Sequence, residues 1–82
     1  MRVHVRPYAI LRQYLADPRS RTGTEMDLVE GSTVADAVQR LGVPPEKVMV
    51  SFVNGAQSSP AQVLREGDRL ELLPPISGGQ RL

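Results

Sequence analysis

The chain opens with alternating polar and apolar positions, followed by a different spacing. In residues 2–6 valine occupies every second position, which predicts a β-strand with Val3 and Val5 facing inward. Residues 8–15 place apolar side chains at helical spacing and predict a short helix. Alternation returns over residues 24–30 and predicts a second strand. Because the connection between the two strands is compact, we expect them to pair.

The clearest element is a helix over residues 34–41. Ser32 or Thr33 can cap its start, and Gly42 supplies the left-handed residue that ends it. Its apolar residues recur at i, i+3, i+4 and i+7, which is the spacing of one buried stripe. The stripe consists of Val34, Ala37, Val38 and Leu41. A helix of this length needs a sheet on which to bury that stripe.

The remaining pattern predicts strands. Residues 48–53 are dense in β-branched side chains and predict the centre of the sheet. Asn54-Gly55 predicts a hairpin turn into the short segment 56–58. A last strand is predicted over residues 69–73, with Leu70 and Leu72 on one face and the residues between them on the other. The order of elements predicts an α+β domain whose sheet of four to five strands carries one main helix on one face.

Composition narrows the class of protein. A chain of 82 residues with 40% apolar and 23% charged residues is typical of one soluble globular domain. No cysteine is present, which excludes disulfides, cysteine-ligated metals and thiol nucleophiles. A net charge of +1 argues against a nucleic-acid binder that works by charge. With no membrane-length apolar run and no signal peptide in the sequence, we expect a cytoplasmic protein.

The C-terminal segment is the most informative part of the chain. It reads Pro74-Pro75-Ile76-Ser77-Gly78-Gly79 and continues as Gln80-Arg81-Leu82. Proline has no N–H for a sheet ladder and favours extended geometry, so the diproline predicts a stiff arm after the last strand. The diglycine can thread a narrow slot. The pattern indicates either an arm with a chemically loaded carboxylate or a frayed terminus.

Taken in order, these segments resemble the MoaD/ThiS-type family of ubiquitin-like sulfur carriers. The segments that carry the resemblance are Tyr8-Ala9, Thr33-Val34, Phe52-Val53-Asn54-Gly55, residues 64–68 and residues 73–79. The resemblance covers residues 1–79 and implies a β-grasp (ubiquitin-like) domain with a Pro-Pro-Ile-Ser-Gly-Gly arm. The form of that arm is more similar to the molybdopterin branch, the small subunit of molybdopterin synthase, than to the thiazole branch.

The resemblance implies a carrier that is not itself an enzyme and binds no permanent cofactor. A ubiquitin-activating-type enzyme would use ATP to adenylate Gly79, and a sulfur donor would displace AMP to leave a thiocarboxylate. The thiocarboxylate would then give its sulfur to an acceptor inside a partner enzyme, which is the large subunit of a synthase or another sulfur acceptor enzyme. By the same resemblance, Gly78 threads the partner's active site. The docking residues would be Leu73, Pro74, Pro75, Ile76 and Ser77.

One departure from the family opens alternatives. Gln80-Arg81-Leu82 blocks the carboxylate of Gly79, so a processing protease would have to remove residues 80–82 before loading. The alternatives are a non-catalytic β-grasp interaction module that keeps these residues, or a carrier for thiazole, cysteine or thiolated tRNA. A small RNA-associated domain is disfavoured by the charge and by an aromatic content of 4%.

Other polar residues indicate no separate active site. His4 shares the outward face of its strand with Arg2 and Arg6, and no second ligand for a metal lies near it in sequence. We expect Glu66, Asp68 and Glu71 to form a solvated acidic turn, with steering of a partner as the alternative. Phe52 is expected in the core, whereas Leu73 and Ile76 are candidates for a docking patch.

Overall fold

The computed structural model describes residues 1–75, so the predictions for Ile76, Ser77, Gly78, Gly79 and residues 80–82 lie outside the described residues. The described part contains a five-stranded sheet. Its strands are β1 (Arg2–Pro7), β2 (Thr24–Asp27), β3 (Val50–Val53), β4 (Ala56–Ser58) and β5 (Arg69–Leu73). Helix α1 spans Val34–Leu41, and 3₁₀ helices span Ala9–Tyr14 and Pro45–Lys47. The α+β class is confirmed, and so is the predicted order of elements, except that the 3₁₀ helix between α1 and β3 was not predicted.

The strand order across the sheet is β2-β1-β5-β3-β4. β1 runs parallel to β5, and the other neighbouring pairs are antiparallel. The predicted pairing of the first two strands and the hairpin at Asn54-Gly55 are confirmed. The prediction that residues 48–53 form the centre of the sheet is wrong, because β5 inserts between β1 and β3. β-branched residues indicate a strand but carry no information about its neighbours.

The core lies between α1 and one face of the sheet. Alternation places Val3 and Val5 of β1 and Leu70 and Leu72 of β5 on that face, each 0% exposed. The helix contributes three of the four predicted stripe residues, since Leu41 is only partly buried. The buried cluster comprises Val3, Val5, Leu11, Met26, Leu28, Val34, Ala37, Val38, Val43, Val53, Leu64, Leu70 and Leu72. None of the helices within residues 1–75 has the length and hydropathy that crossing a membrane requires.

The ends of α1 follow the predicted local signals. The Thr33 hydroxyl accepts a hydrogen bond from the Asp36 backbone N–H at 3.2 Å, and the Asp36 carboxylate accepts one from the Thr33 N–H at 2.8 Å. This reciprocal capping box satisfies two of the free N–H groups at the helix start. At the other end Gly42 has φ 95°, a left-handed conformation that suits glycine.

Three elements differ from the predicted ones in type or length. β3 begins at Val50 rather than at residue 48, because Val48 caps the end of the preceding 3₁₀ helix. The first short helix is a 3₁₀ helix, in which residues three apart are aligned, so Leu11 is buried while Ile10 is 65% exposed. The second strand ends at Asp27 rather than at residue 30. Beyond it Leu28 is still buried, but Val29 is 80% exposed.

Candidate functional site

The candidate site lies where the last strand ends and the C-terminal arm begins. The carbonyl of Leu73 accepts a hydrogen bond from the Met49 N–H at 2.8 Å, and the carbonyl of Leu72 accepts one from the Tyr8 N–H at 2.9 Å. β5 ends at Leu73, and Pro74 follows without an N–H to continue the ladder. The root of the arm is therefore held from both sides, by residues that follow β1 and precede β3.

Beside the arm root, apolar side chains lie on the sheet face that α1 leaves uncovered. Val50 is directly opposite Leu73 in the antiparallel pair β3–β5, and Phe52 is opposite Glu71. Val50, Phe52 and Leu73 are each partly buried and have the same outward parity. We call these three residues the outer patch. Leu73 thus lies on the outward face as predicted, beside Val50 and Phe52.

The expectation that Phe52 belongs to the core is wrong. Its neighbours Ser51 and Val53 occupy the inward positions of β3 and are buried. Because side chains alternate along a strand, Phe52 must point to the opposite face. Ser51 is accommodated inside by its hydroxyl, which lies 2.8 Å from the Ser58 hydroxyl of the neighbouring strand. The polar residue in an inward position misled the prediction.

A polar contact lies against the outer patch. The Tyr8 hydroxyl donates a hydrogen bond to the Glu71 carboxylate at 2.6 Å. This bond is the main reason that the pKa of Tyr8 is raised, with desolvation and the Glu71 charge adding to it. The Arg6 guanidinium lies 4.7 Å from the centre of the Tyr8 ring, within the range of a cation–π contact. Tyr8 therefore links β1 to β5 just before the arm begins.

The three acidic residues expected to form one solvated turn have separate partners. Glu71 accepts the Tyr8 hydrogen bond, and Glu66 accepts one from the Arg2 N–H at 2.9 Å. The Asp68 carboxylate accepts hydrogen bonds from the Arg65 N–H and from the Asn54 side-chain amide, both at 2.8 Å. The carboxylates hold turns and strands in place, so the expected single acidic cluster is not what the structure shows.

His4 lies on the same outward face, as expected, but it has partners. Its Nδ1 is 2.8 Å from a Glu25 carboxylate oxygen, and its Nε2 contacts the Thr22 carbonyl. Glu25 is the residue directly opposite His4 in the β1–β2 pair. Among residues 1–75, no group of three or more His, Cys, Asp or Glu side chains is placed to hold a metal ion.

Comparison with known proteins finds a family that matches the sequence and solved structures with a similar fold. The ThiS family matches residues 13–79. SAMP1 from Haloferax volcanii has a similar structure, with TM-score 0.71 and 24% identity over 96% of this chain and 100% of that chain. A second structure of that organism's small archaeal modifier protein 1 gives TM-score 0.71 and 22% identity over 92% of this chain and 98% of the other.

A Pyrococcus furiosus protein named as molybdopterin converting factor, subunit 1, has TM-score 0.69 and 25% identity, covering 93% of this chain and 99% of that chain. No curated protein sequence matches the chain. The structural likenesses confirm the expected β-grasp fold. The family match covers most of the sequence, including the arm through Gly79. The chain therefore belongs to the ThiS family of ubiquitin-like, MoaD-related carrier proteins.

Proposed function

We propose that this protein is a sulfur carrier whose Gly79, once terminal, is adenylated and converted to a thiocarboxylate. One observation carries the proposal: the match to the ThiS family runs through the diglycine and stops at Gly79. Gln80-Arg81-Leu82 lies beyond the matched region, as a segment removed on maturation would. The fold supports the same proposal, because β5 ends at Leu73, where its pairing with β3 also ends, and the arm begins at the next residue.

The proposed chemistry needs an activating partner. A terminal carboxylate, with a pKa near 3.5, is ionised at neutral pH and is a poor electrophile. Its oxygen attacks the α-phosphate of ATP on an adenylating enzyme, and pyrophosphate leaves. A sulfur donor at the oxidation level of sulfide then attacks the carbonyl carbon, the carbon–oxygen bond to AMP breaks, AMP leaves, and the thiocarboxylate remains. The carrier contributes the surface that its partners recognise and the arm that brings Gly79 to their active sites, and catalysis resides in the partners.

The described residues define the surface that these partners would meet. The outer patch of Val50, Phe52 and Leu73 continues directly into the arm at Pro74. An apolar patch rimmed by Arg6 and Glu71 has the character of a protein-docking surface. We propose that the adenylating enzyme and the large subunit of the acceptor synthase dock here, with residues 74–77 following into the active site.

Molybdopterin synthesis is the proposed pathway, on the form of the arm and on the name of the Pyrococcus furiosus neighbour. Thiazole synthesis is the principal alternative within the family. The observation that favours a non-catalytic interaction module is Gln80-Arg81-Leu82 itself, since a chain that keeps it has no carboxylate on Gly79. The proposed site of action is the cytoplasm.

Replacement of Gly79 tests the proposal. In a chain ending at residue 79, Gly79→Ala should lower the rate of thiocarboxylate formation at least tenfold, because the added methyl group obstructs the slot that admits a bare backbone. The melting temperature should stay unchanged, since the described fold ends before this residue. The measurement is intact mass after incubation with the adenylating enzyme of the same cell, ATP and a sulfur donor, and Gln62→Ala is a matched control at an exposed distant site.

The same assay separates docking from threading. Leu73→Ala should raise the carrier concentration needed for half-maximal loading and leave the saturated rate nearly unchanged, because it removes contact area rather than the reacting group.

Equal loading of the Gly79→Ala chain and the parent chain would contradict the proposed role of the tip. A melting temperature lowered as far as that of a core variant would show instead that the tail is structural.

A further inference from the structure

The Tyr8-Ala9 segment leads from the first strand into the first 3₁₀ helix, beside the root of the arm. β1 ends at Pro7, and Ala9 has φ 54°, a left-handed conformation that is unfavourable for a residue with a Cβ atom. The chain therefore turns out of line with β1 directly after Tyr8. Within residues 1–75, the bond from the Tyr8 N–H to the Leu72 carbonyl is the last that this side of the sheet gives to β5.

The Tyr8 side chain reinforces this last backbone bond. The end of a strand beside a strained residue opens more easily than the middle, because no further bond has to break with it. The Tyr8 hydroxyl donates to the Glu71 carboxylate at 2.6 Å, a short hydrogen bond to a charged acceptor. Tyr8 is thus bonded to β5 twice, through its backbone to Leu72 and through its side chain to Glu71.

Two further features keep the hydroxyl in this position. The Arg6 guanidinium lies 4.7 Å from the centre of the Tyr8 ring and covers it, which restricts the movement of the ring. The bond to Glu71 raises the pKa of Tyr8, so the hydroxyl remains a proton donor at neutral and mildly alkaline pH. Glu71 lies directly opposite Arg6 in the β1–β5 pair, so the three side chains meet on the outward face of the sheet.

We propose that Tyr8 is a positioning residue for loading, because its bond to Glu71 fixes the direction in which the chain leaves β5. This role rests on the proposed sulfur-carrier function. Pro74 and Pro75 each fix their own φ, so a change of direction at Leu73 is carried along the diproline instead of being absorbed there. A misplacement of about 1 Å at a reacting group can lower a rate about a hundredfold. A loosened root should therefore slow the bound complex and leave its affinity unchanged.

The loading kinetics of Tyr8→Phe test this role, in the chain ending at Gly79 with its adenylating enzyme, ATP and a sulfur donor. The variant keeps the aromatic ring and loses only the hydroxyl. The saturated rate should fall about tenfold, and the carrier concentration for half-maximal loading should stay within about twofold. This result is the reverse of that expected for Leu73→Ala. Tyr14→Phe removes the hydroxyl of the other tyrosine, at the end of the first 3₁₀ helix, and should change neither value.

Variants of Glu71 show whether the bond itself is responsible. Glu71→Gln keeps an oxygen that can accept from the Tyr8 hydroxyl and should retain about half of the parent rate or more. Glu71→Ala should lower the saturated rate as far as Tyr8→Phe does. Because both changes remove the same bond, the double variant should be no slower than either single one.

Amide hydrogen exchange of the free carrier gives a measurement that involves no partner. Tyr8→Phe should raise the exchange rate of the N–H at residue 8 about tenfold, because the end of the strand opens more often. The N–H of Val5, in the middle of the same strand, should exchange as in the parent chain. Faster exchange at both positions would mean that the hydroxyl only stabilises the whole domain.

Each other result counts against this role of Tyr8. Unchanged exchange at residue 8, or an unchanged saturated rate beside a parent chain that loads, would overturn it and leave the proposed function standing. A raised half-maximal concentration at an unchanged rate would assign Tyr8 to docking instead. Equal losses in Glu71→Gln and Glu71→Ala would show that the charge of Glu71, and not the bond, is needed. Failure of the parent chain to load would contradict the proposed function and this role with it.

Discussion

A chain ending at Gly79 should support ATP–pyrophosphate exchange on its cognate adenylating enzyme, and the 82-residue chain should support none. Only a free carboxylate can attack the α-phosphate, and in the longer chain the carbonyl of Gly79 belongs to an amide. The expected difference is all or none. It is the largest effect that the proposed function predicts.

The control for this comparison must separate the effect of losing one arginine charge from the effect of exposing the Gly79 carboxylate. Removing residues 80–82 deletes one arginine and no acid, so the formal charge falls from +1 (10 − 9) to 0 (9 − 9). Full-length Arg81→Gln has the same side-chain charge as the trimmed chain and should remain inactive. Exchange by either full-length chain would contradict the need for trimming. Absence of exchange in the trimmed chain, beside a control carrier that loads, would favour the interaction module.

Leu70→Ala should lower the free energy of unfolding by about 2–5 kcal/mol, the range for truncating a buried leucine. Leu70 is 0% exposed on β5, which pairs with both β1 and β3, so the surrounding strands cannot easily collapse into the cavity. Denaturant unfolding measures the change, with an unchanged slope indicating that two-state unfolding is preserved.

The matched control for the core is Val29→Ala. Val29 is 80% exposed, so its truncation should change the free energy of unfolding by no more than about 0.5 kcal/mol. A Leu70→Ala chain as stable as the Val29→Ala chain would mean that β5 is not the centre of the sheet. The position of β5 matters for function because the same strand carries the arm.

Local signals made α1 predictable from the sequence. Its capping box, its apolar stripe and Gly42 each depend on residues that are close together in the sequence, so the helix and its two ends can be predicted from local sequence alone. The hairpin at Asn54-Gly55 is of the same kind, and Asn54 adopts φ 53°, the left-handed conformation that its turn requires. The resemblance to sulfur carriers, based on the order of such segments, is confirmed by the family match.

Long-range features could not be predicted in this way. The parallel pairing of β1 with β5 joins the two ends of the chain and displaces the expected central strand. The Tyr8–Glu71 hydrogen bond spans 63 positions and depends on that pairing. The bond between His4 and Glu25 likewise depends on the register of β1 and β2. Alternation of polar and apolar residues does not fix this register, because a shift of two residues keeps the same side chains on each face.

Phe52 shows how a single inward polar residue can mislead. A buried serine is acceptable in β3 because the hydroxyl of Ser58 lies within hydrogen-bond distance. With Ser51 inside, the large aromatic residue must occupy the outer patch. The candidate docking surface was therefore visible in the sequence only once the register of β3 was known.

The most direct test of the sulfur-carrier proposal is the intact mass of the untagged protein purified from its own cells. The proposal predicts a species shortened by Gln80-Arg81-Leu82, with a fraction heavier by the difference between one sulfur and one oxygen. Alkylating the sample should shift that heavier fraction alone, because a thiocarboxylate sulfur is nucleophilic and the chain has no cysteine. A single species with the mass of all 82 residues would contradict the proposal.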